Sequence, residues 1–187
     1  MLLPEFTYHP DPLATETFIA STDECVVCKQ ARGYAYAGPL YPSEDTDDAD
    51  DTDVVICPWC IANGAAAREL QVEFSDACYI GSCHTQGAEV GQDVMVEILQ
   101  RTPGFITWQD QIWRAHCDDA CLYLGRAGGP EIRSMHPQVI EQINEDYCSE
   151  DQDIEEYLDD IEKDGSLVAL IFQCRHCGQK QCHLEAD

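Results

Sequence analysis

The chain has 187 residues, of which 44% are apolar, enough for the core of one domain. It contains no continuous apolar run of the roughly 18 residues that a transmembrane helix requires. Its 36 acidic residues outnumber 10 basic ones and give a formal net charge of −26. Such a surface repels nucleic acid and anionic membranes and attracts basic proteins. Adaptation to high salt is an equally good explanation, and the sequence leaves both open.

The chain also has 12 cysteines. Its first residues, MLLPEFTYHPDP, lack the basic region and the continuous apolar stretch of a secretory signal. In the reducing cytosol, cysteines bind metals rather than pair as disulfides. We therefore expect a cytoplasmic, metal-binding protein.

The N-terminal elements are predicted to be short and extended. Residues 1–24 are broken by prolines, and the alternation of Phe6 and Tyr8 predicts a short edge strand. The first Cys-x-x-Cys pair follows, and Tyr34 and Tyr36 then share one face of a second predicted strand.

An acidic segment, residues 43–53, separates these elements from the next cysteine pair. It holds seven carboxylates and no cation, a composition typical of a mobile loop. It lacks the central glycine and the distal glutamate of a calcium loop. The sequence then predicts a strand over 54–56, the pair Cys57-Pro-Trp-Cys60, and a helix over 61–70 with a weak point at Asn63-Gly64.

Apolar residues at helical spacing predict the central part of the chain to be helical. A last buried strand should then run into the third cysteine pair. The predicted helices cover 89–101, 107–125, a segment that opens at Pro137, and 150–162, whose outer face is acidic, and the strand covers 167–172.

These elements predict an α+β fold in a single domain, with small zinc-bound strands packed against a bundle of about four to five helices. The strand, cysteine pair and helix around residue 57 are typical of ribbon or treble-clef zinc modules. We expect a zinc module at about 1–75, a helical part at about 89–163, and a C-terminal strand and knuckle at 166–187 that packs back.

The strongest chemical signal is the pair of motifs Cys25-x-x-Cys28 and Cys57-x-x-Cys60. Two such motifs supply the four thiolates of a tetrahedral structural Zn²⁺. Buried free thiols are one alternative. A thioredoxin-type redox pair at Cys57 and Cys60 is another, because a helix N-terminus lowers a thiol pKa.

A second metal site is predicted around Cys117, Cys174 and Cys177. Joint ligation by His116 and Cys117 is awkward on a helix, where neighbouring side chains point about 100° apart. Each additional cysteine is otherwise expected to be a small buried apolar residue. The residues leave the fourth ligand open among His116, Cys121, Cys182 and His183.

Several long motifs resemble the bacterial CbrC family. They include LPEFTYHPDPLAT, CVVCKQARGYAYAGPLY, ICPWCIANGAAA, RTPGFITWQ, WRAHCDDACLYLG and LIFQCRHCGQ, which together span nearly the whole chain. The resemblance implies a cytosolic protein with no established enzymatic activity, from a family whose name is associated with tolerance to a DNA-degrading colicin. It also implies that the family's motif positions are Cys25, Cys28, Cys57, Cys60, His116, Cys117, Cys174 and Cys177, and that this chain adds Cys78, Cys83, Cys121, Cys148 and Cys182.

Together, resemblance and charge predict an immunity or tolerance factor that binds and neutralises a basic toxin domain, with a nuclease as the candidate. The predicted contact surfaces are the acidic loop 44–53 and the helix 150–162. A zinc-dependent regulatory or stress protein is the alternative, followed by an enzyme such as a thiol oxidoreductase. We predict no catalytic residue, no direct nucleic-acid binding and no membrane contact.

Overall fold

A computed structural model describes residues 2–42, 54–81, 90–135, 137–148 and 153–187. Within these ranges the chain is a mixed α and β structure with six short α-helices and small antiparallel sheets. None of these helices is long and apolar enough to cross a membrane. The strands are β1 (Phe18–Ala20), β2 (Tyr34–Tyr36), β3 (Tyr41–Pro42), β4 (Val72–Glu73), β5 (Ala115–His116), β6 (Asp119–Ala120), β7 (Leu122–Ala127), β8 (Leu167–Gln173) and β9 (Lys180–Ala186). The helices are α1 (Pro58–Ala62), α2 (Ala65–Leu70), α3 (Gln92–Arg101), α4 (Gly129–Arg133), α5 (Pro137–Tyr147) and α6 (Ile154–Asp160).

The largest sheet has the order β7-β8-β9, with both pairings antiparallel. Its central strand β8 is buried from Val168 to Phe172, which confirms the buried strand that the sequence predicts. A continuous apolar run suits this strand because both of its faces are covered, by the aromatic cluster on one side and by α4 to α6 on the other.

The outer edge of β9 is covered by side chains of α5. The Gln142 amide donates to the Cys182 carbonyl oxygen at 2.8 Å and accepts from the Cys182 backbone N–H at 3.0 Å. Two residues on, the Leu184 backbone N–H donates to the Tyr147 hydroxyl at 3.2 Å. Side chains therefore satisfy backbone groups that a neighbouring strand would otherwise bind.

The described residues form three apolar clusters in the interior. The N-terminal cluster packs Phe18 and Tyr36 against α1 and α2. The middle cluster is aromatic, and the Phe105 ring stacks on Tyr123 with centroids 4.2 Å apart. The C-terminal cluster lies between α4, α5, α6 and the β7-β8-β9 sheet. Helices α1, α2 and α3 contact one another, and α4 contacts both α5 and α6. The helices therefore form two groups instead of the single bundle that the sequence predicts.

The helix predicted over 107–125 is wrong, because this segment forms the β5–β6 hairpin and the strand β7. Its apolar residues satisfy a helical period, but along β7 the side chains alternate between buried and more exposed positions, as in a strand with one covered face. Trp113 is fully buried and donates its indole N–H to the Cys121 carbonyl oxygen at 2.8 Å. Trp108, which also lies within the predicted helix, is 42% exposed.

Other predicted boundaries also change. Phe6 and Tyr8 are buried but belong to no strand, and residues 54–56 are extended without forming one. The helix predicted over 61–70 is split into α1 and α2, because Gly64 adopts a left-handed φ of 72° between them. The sequence prediction missed α4 and β9 altogether.

Parts of the sequence prediction lie outside the described residues: the acidic loop 44–53, Cys83, the first residue of the helix predicted over 89–101, and the start of the predicted acidic helix at 150–152.

Gly129 in α4 provides a test of the packing between α4 and α6. A Cβ at this position would overlap the Leu158 backbone carbonyl oxygen, and backbone cannot move aside as a side chain tip can. We expect Gly129→Ala to lower the free energy of unfolding by about 2 kcal/mol, as measured by urea denaturation. Gly91→Ala is the control, because its Cβ would meet only the Asp93 carboxylate end at 2.7 Å. Equal stability of the two variants would contradict this packing.

Candidate metal centres

Four cysteines from two distant segments meet in a first group. The Sγ atoms of Cys25, Cys28, Cys57 and Cys60 all lie within 4.8 Å of one another. Cys28 Sγ is 3.8 Å from Cys57 Sγ. A tetrahedral ion with metal–sulfur bonds of about 2.3 Å places its sulfurs about 3.8 Å apart, whereas a disulfide requires about 2.05 Å. The group therefore fits a metal ion and contains no disulfide.

A tight turn presents the first two of these sulfurs. The Cys25 backbone N–H donates to the Gln30 carbonyl oxygen at 3.0 Å, and the Lys29 N–H donates to the Cys25 carbonyl oxygen at 2.8 Å. Lys29 adopts a left-handed φ of 54°, which reverses the chain just after the second cysteine. Val26 anchors the turn to the facing segment, because its N–H donates to the Val55 carbonyl oxygen at 2.8 Å.

The other two sulfurs stand at the start of α1. Cys57 is the N-cap residue and Pro58 occupies the first turn, where a missing backbone N–H costs no helical hydrogen bond. The helix brings Cys60 back over Cys57, and the Cys60 N–H donates to the Cys57 carbonyl oxygen at 3.1 Å.

Burial and hydrogen bonding shift the pKa values of the three buried cysteines of the first group. Burial by itself raises the pKa of Cys25, but backbone N–H groups that include that of Cys57, 3.4 Å from its sulfur, outweigh it and lower the pKa to about 7. Burial raises the pKa of Cys57 to about 11 and also raises that of Cys60. Without a cation Cys57 and Cys60 thus favour their protonated forms, and a bound metal ion would displace those protons.

A second group contains three cysteines and one histidine. The ligand atoms of His116, Cys117, Cys174 and Cys177 also lie within 4.8 Å of one another. His116 Nδ1 is 3.2 Å from Cys117 Sγ and 3.5 Å from Cys177 Sγ. Tetrahedral coordination with usual metal–ligand bond lengths predicts about 3.5 Å between such atoms. This group also fits a metal ion.

The β5–β6 hairpin explains how neighbouring residues can both reach this point. His116 pairs with Asp119 across the hairpin, and the two turn residues Cys117 and Asp118 have φ of 55° and 56°. Positive φ at both central residues is the signature of a type I′ turn. The geometric objection to joint ligation by His116 and Cys117 therefore disappears together with the predicted helix.

The third Cys-x-x-Cys pair repeats the turn of the first one. The Cys174 N–H donates to the Gln179 carbonyl oxygen at 2.8 Å, and the Gly178 N–H donates to the Cys174 carbonyl oxygen at 3.1 Å. Gly178, with φ 76°, occupies the position that Lys29 has in the first turn. Two segments far apart in sequence thus form the same knuckle, the second one at the end of the β8–β9 hairpin.

The remaining candidates for the fourth ligand lie elsewhere. Cys121 and Cys182 are fully buried in the middle and C-terminal clusters, where burial raises the pKa of each thiol to about 12. They behave as small apolar residues. His183 Nδ1 is 3.0 Å from the Tyr147 hydroxyl oxygen. Cys78 and Cys148 belong to neither group, and Cys83 lies outside the described residues.

Asp119 organises the surroundings of the second group and was not predicted from the sequence. Its buried carboxylate accepts from the Tyr8 hydroxyl at 2.7 Å and contacts Arg175 Nη1 and His176 Nε2, each at 2.9 Å. Arg175 also lies over the Tyr8 ring, 4.9 Å from its centroid. Sequence position is the signal that could have pointed to Asp119. It follows Cys117 by two residues, and Arg175 and His176 lie between the last two predicted ligands.

Lys29 and Gly178 occupy equivalent positions in the two knuckles and allow a test of backbone strain. A Cβ on Gly178 would meet only the Gln173 amide nitrogen, at 3.7 Å, so substitution strains the backbone without a clash. We expect Gly178→Ala to lower the free energy of unfolding by about 1 kcal/mol and Lys29→Gly to raise it slightly. Thermal unfolding with metal present measures both. Two shifts of the same sign would contradict the shared turn.

Asp119 allows a test with a defined pH dependence. Burial raises the pKa of Asp119, but the hydrogen bonds from Tyr8 and His176 and the charge of Arg175 outweigh it, so the pKa in the folded state is lowered. A carboxylate with a lowered pKa contributes stability above about pH 4, and this contribution is lost only as the pH falls through the lowered value.

We therefore expect Asp119→Asn to lower the free energy of unfolding by about 2 kcal/mol or more, with a loss at pH 5 at least as large as at pH 8. Urea denaturation at both pH values is the measurement. Asp118→Asn is the matched control, because Asp118 is exposed and asparagine tolerates its left-handed conformation. A loss that disappears by pH 5 would show that the carboxylate is not held ionised in this way.

Comparison with known proteins places the chain in a family. Residues 3–186 match the family described as "Uncharacterised protein family (UPF0167)". UPF0167 protein Mb2317 of Mycobacterium bovis is 37% identical over 179 residues, covering 94% of this chain and 89% of the relative. UPF0167 protein PA1536 of Pseudomonas aeruginosa is 35% identical over 185 residues, covering 99% and 97%. No solved structure matches. The chain, with its two groups of clustered cysteines, belongs to the UPF0167 family.

Proposed function

We propose that this protein binds two structural Zn²⁺ ions and acts as an immunity or tolerance factor that neutralises a basic toxin domain. Zinc is favoured because it prefers tetrahedral sites with thiolate and imidazole ligands, and thiols in the reducing cytosol are available to it. The first zinc would join the knuckle at Cys25 to α1, and the second would join the β5–β6 hairpin to the β8–β9 hairpin.

The four-ligand composition of each group argues for structural rather than catalytic metal. A catalytic zinc keeps three protein ligands and leaves one position for water or substrate. Thiol oxidoreduction at Cys57 and Cys60 is disfavoured too, because these side chains are only 1% and 4% exposed. A disulfide substrate would have no access to them. A binding role therefore accounts for the geometry better than turnover does.

The observation that carries the binding role is the acidic surface of α5 and α6. Neither helix contains a lysine or arginine. Arg133 of α4 contacts the carboxylates of Glu155 and Asp159 at 3.0 and 2.6 Å, and Arg114 lies 3.7 Å from the Asp146 carboxylate, so arginines neutralise only part of this surface. The exposed carboxylates of the surface are Glu141, Glu145, Asp146, Glu155, Glu156, Asp159 and Asp160.

A nuclease toxin would complement such a surface. An enzyme that cuts nucleic acid presents a basic cleft to the phosphate backbone, and an acidic protein can occupy that cleft in its place. The resemblance of the sequence motifs to the CbrC family supports the same role, since the name of that family is associated with tolerance to a DNA-degrading colicin. The net charge of −26 would also speed the encounter of the two proteins at low salt.

Metal content is the first test. We expect elemental analysis of the zinc-loaded, desalted protein to give two zinc ions per chain, and a value of one would exclude the second site. We also expect Cys28→Ser to lower the free energy of unfolding by about 4 kcal/mol or more, because structural zinc contributes folding energy directly. Cys148→Ser is the control, since Cys148 belongs to neither group. If both variants melt like the parent, the first site is not structural.

Toxin binding is the second test, with the DNase domain of a colicin as the probe in titration calorimetry. We expect binding at low salt that weakens as salt increases, because surface charges are screened. Glu156→Gln combined with Asp160→Asn should weaken binding about three- to tenfold. Glu5→Gln with Asp23→Asn removes the same charge outside α5 and α6 and should have less effect.

Two outcomes of this titration oppose the toxin proposal. Absence of binding at low salt rejects it for this class of toxin. Binding that persists unchanged in high salt contradicts a contact led by charge, and it favours a regulatory or stress protein with a partner recognised by other chemistry.

A further inference from the structure

The two metal groups differ in their access to solvent. In the first group Cys25, Cys57 and Cys60 are buried and Cys28 is partly buried. In the second group the order is reversed: Cys117 and Cys177 are exposed, His116 is partly buried, and only Cys174 is buried. A competing ligand in solution can therefore approach two sulfurs of the second group without any opening of the core.

The groups also differ in what surrounds their ligands. Cys25, Cys57 and Cys60 belong to the N-terminal apolar cluster, where they pack with side chains such as Ile56 and Ile61. Removal of a metal ion there would leave thiolates that repel one another in an apolar interior, and these would have to take up protons or open the cluster.

At the second group, contacts without any metal already join the two hairpins that supply the ligands. Asp119 of β6 contacts Arg175 and His176 of the β8–β9 knuckle, each at 2.9 Å. Cys174 Sγ lies 3.7 Å from the His116 carbonyl oxygen. These contacts bridge the β5–β6 hairpin and the knuckle through protein groups alone, so they would persist after the ion has left.

We propose that the second group is an exchangeable metal site, which gives up its Zn²⁺ to a thiolate or other chelating ligand in solution while the protein remains folded, whereas the zinc of the first group stays in place. This inference rests on the two-zinc proposal above and adds a regulatory role for one of the ions. The occupancy of the second group would follow the supply of available zinc.

The exchange is a ligand substitution with no transfer of electrons. The bonds from zinc to Cys117 and Cys177 break as bonds from zinc to the incoming ligand form. The bonds to Cys174 and His116 follow, and the thiolates that are released take up protons from water. The zinc ion leaves as a complex with its new ligand, so its charge and oxidation state are unchanged.

The test uses the complete zinc-loaded protein and the chromogenic chelator 4-(2-pyridylazo)resorcinol. We expect one zinc per chain to be released at least about tenfold faster than the other, since only one site is reached without local unfolding. N-ethylmaleimide labelling with peptide mapping identifies the site: Cys117 and Cys177 should be labelled with the fast phase, while Cys25, Cys57 and Cys60 remain protected. Far-UV circular dichroism should be unchanged during the fast phase.

The outcomes separate this inference from the function proposed above. Two zinc ions released at the same rate, labelling of the first group before the second, or loss of helical signal during the fast phase would each overturn the exchangeable site and leave the two-zinc proposal standing. A single zinc per chain at the start, with Cys117 and Cys177 labelled before any chelator is added, would overturn both.

Arg175→Gln tests whether the protein contacts hold the emptied site. Without the Arg175 side chain one ion pair to Asp119 is lost, and no metal ligand is changed. We expect the variant to lower the midpoint of thermal unfolding by more after the fast zinc has been removed than before. Arg68→Gln is the control, because within the part of the chain that the structure describes Arg68 forms an ion pair only with exposed Glu69, at 3.6 Å. Equal losses in both metal states would contradict this role of the Asp119 contacts.

Discussion

Convergence of distant thiols on a single point is the constraint on which this architecture depends. Each group takes one pair of ligands from a knuckle and the other pair from a different segment, so the segments between them must fold back to a distance of a few ångströms. The first group draws β1, β2 and α1 together, and the second brings the β5–β6 hairpin to the end of the large sheet. A chain of net charge −26 resists such compaction, so the free energy of metal binding would have to outweigh that repulsion.

The two knuckles show that the same local geometry can serve sites of different character. Both reverse the chain through a left-handed residue after the second cysteine, at Lys29 and at Gly178. Their partners differ: one faces a helix N-terminus inside an apolar cluster, and the other faces a hairpin tip in contact with solvent. The knuckle therefore fixes the relative positions of two sulfur atoms, and its surroundings determine how tightly an ion would be enclosed.

Sequence reasoning succeeded where chemistry is carried by spacing within a short segment. All eight predicted ligands lie in the two groups, and the buried strand β8 and the helices α3, α5 and α6 were recognised from their apolar patterns. It failed over 107–125, because the apolar residues there fit a helical period as well as the alternation of a strand. Long-range pairing of β7 with β8 decides in favour of the strand. The predicted helix also left the fourth member of the second group open among four residues, whereas the family resemblance implied His116, which lies in that group.

Features that arise only from tertiary contacts could not be predicted from the sequence. Nothing in the composition around Asp119 distinguishes it from the many other aspartates, and its role appears only when Tyr8, Arg175 and His176 surround it. The strand β9 was missed for a similar reason, because its residues KQCHLEA form a strand through pairing with β8 rather than through an apolar pattern of their own.

The Gln142 and Tyr147 side chains that cover β9 have a further consequence for the protein in the cell. Should α5 detach, the Cys182 and Leu184 backbone groups would be left open to pair with the strand of another molecule, as at any uncovered sheet margin. The docking of one helix thus guards against polymerisation of the chain as well as completing its C-terminal core.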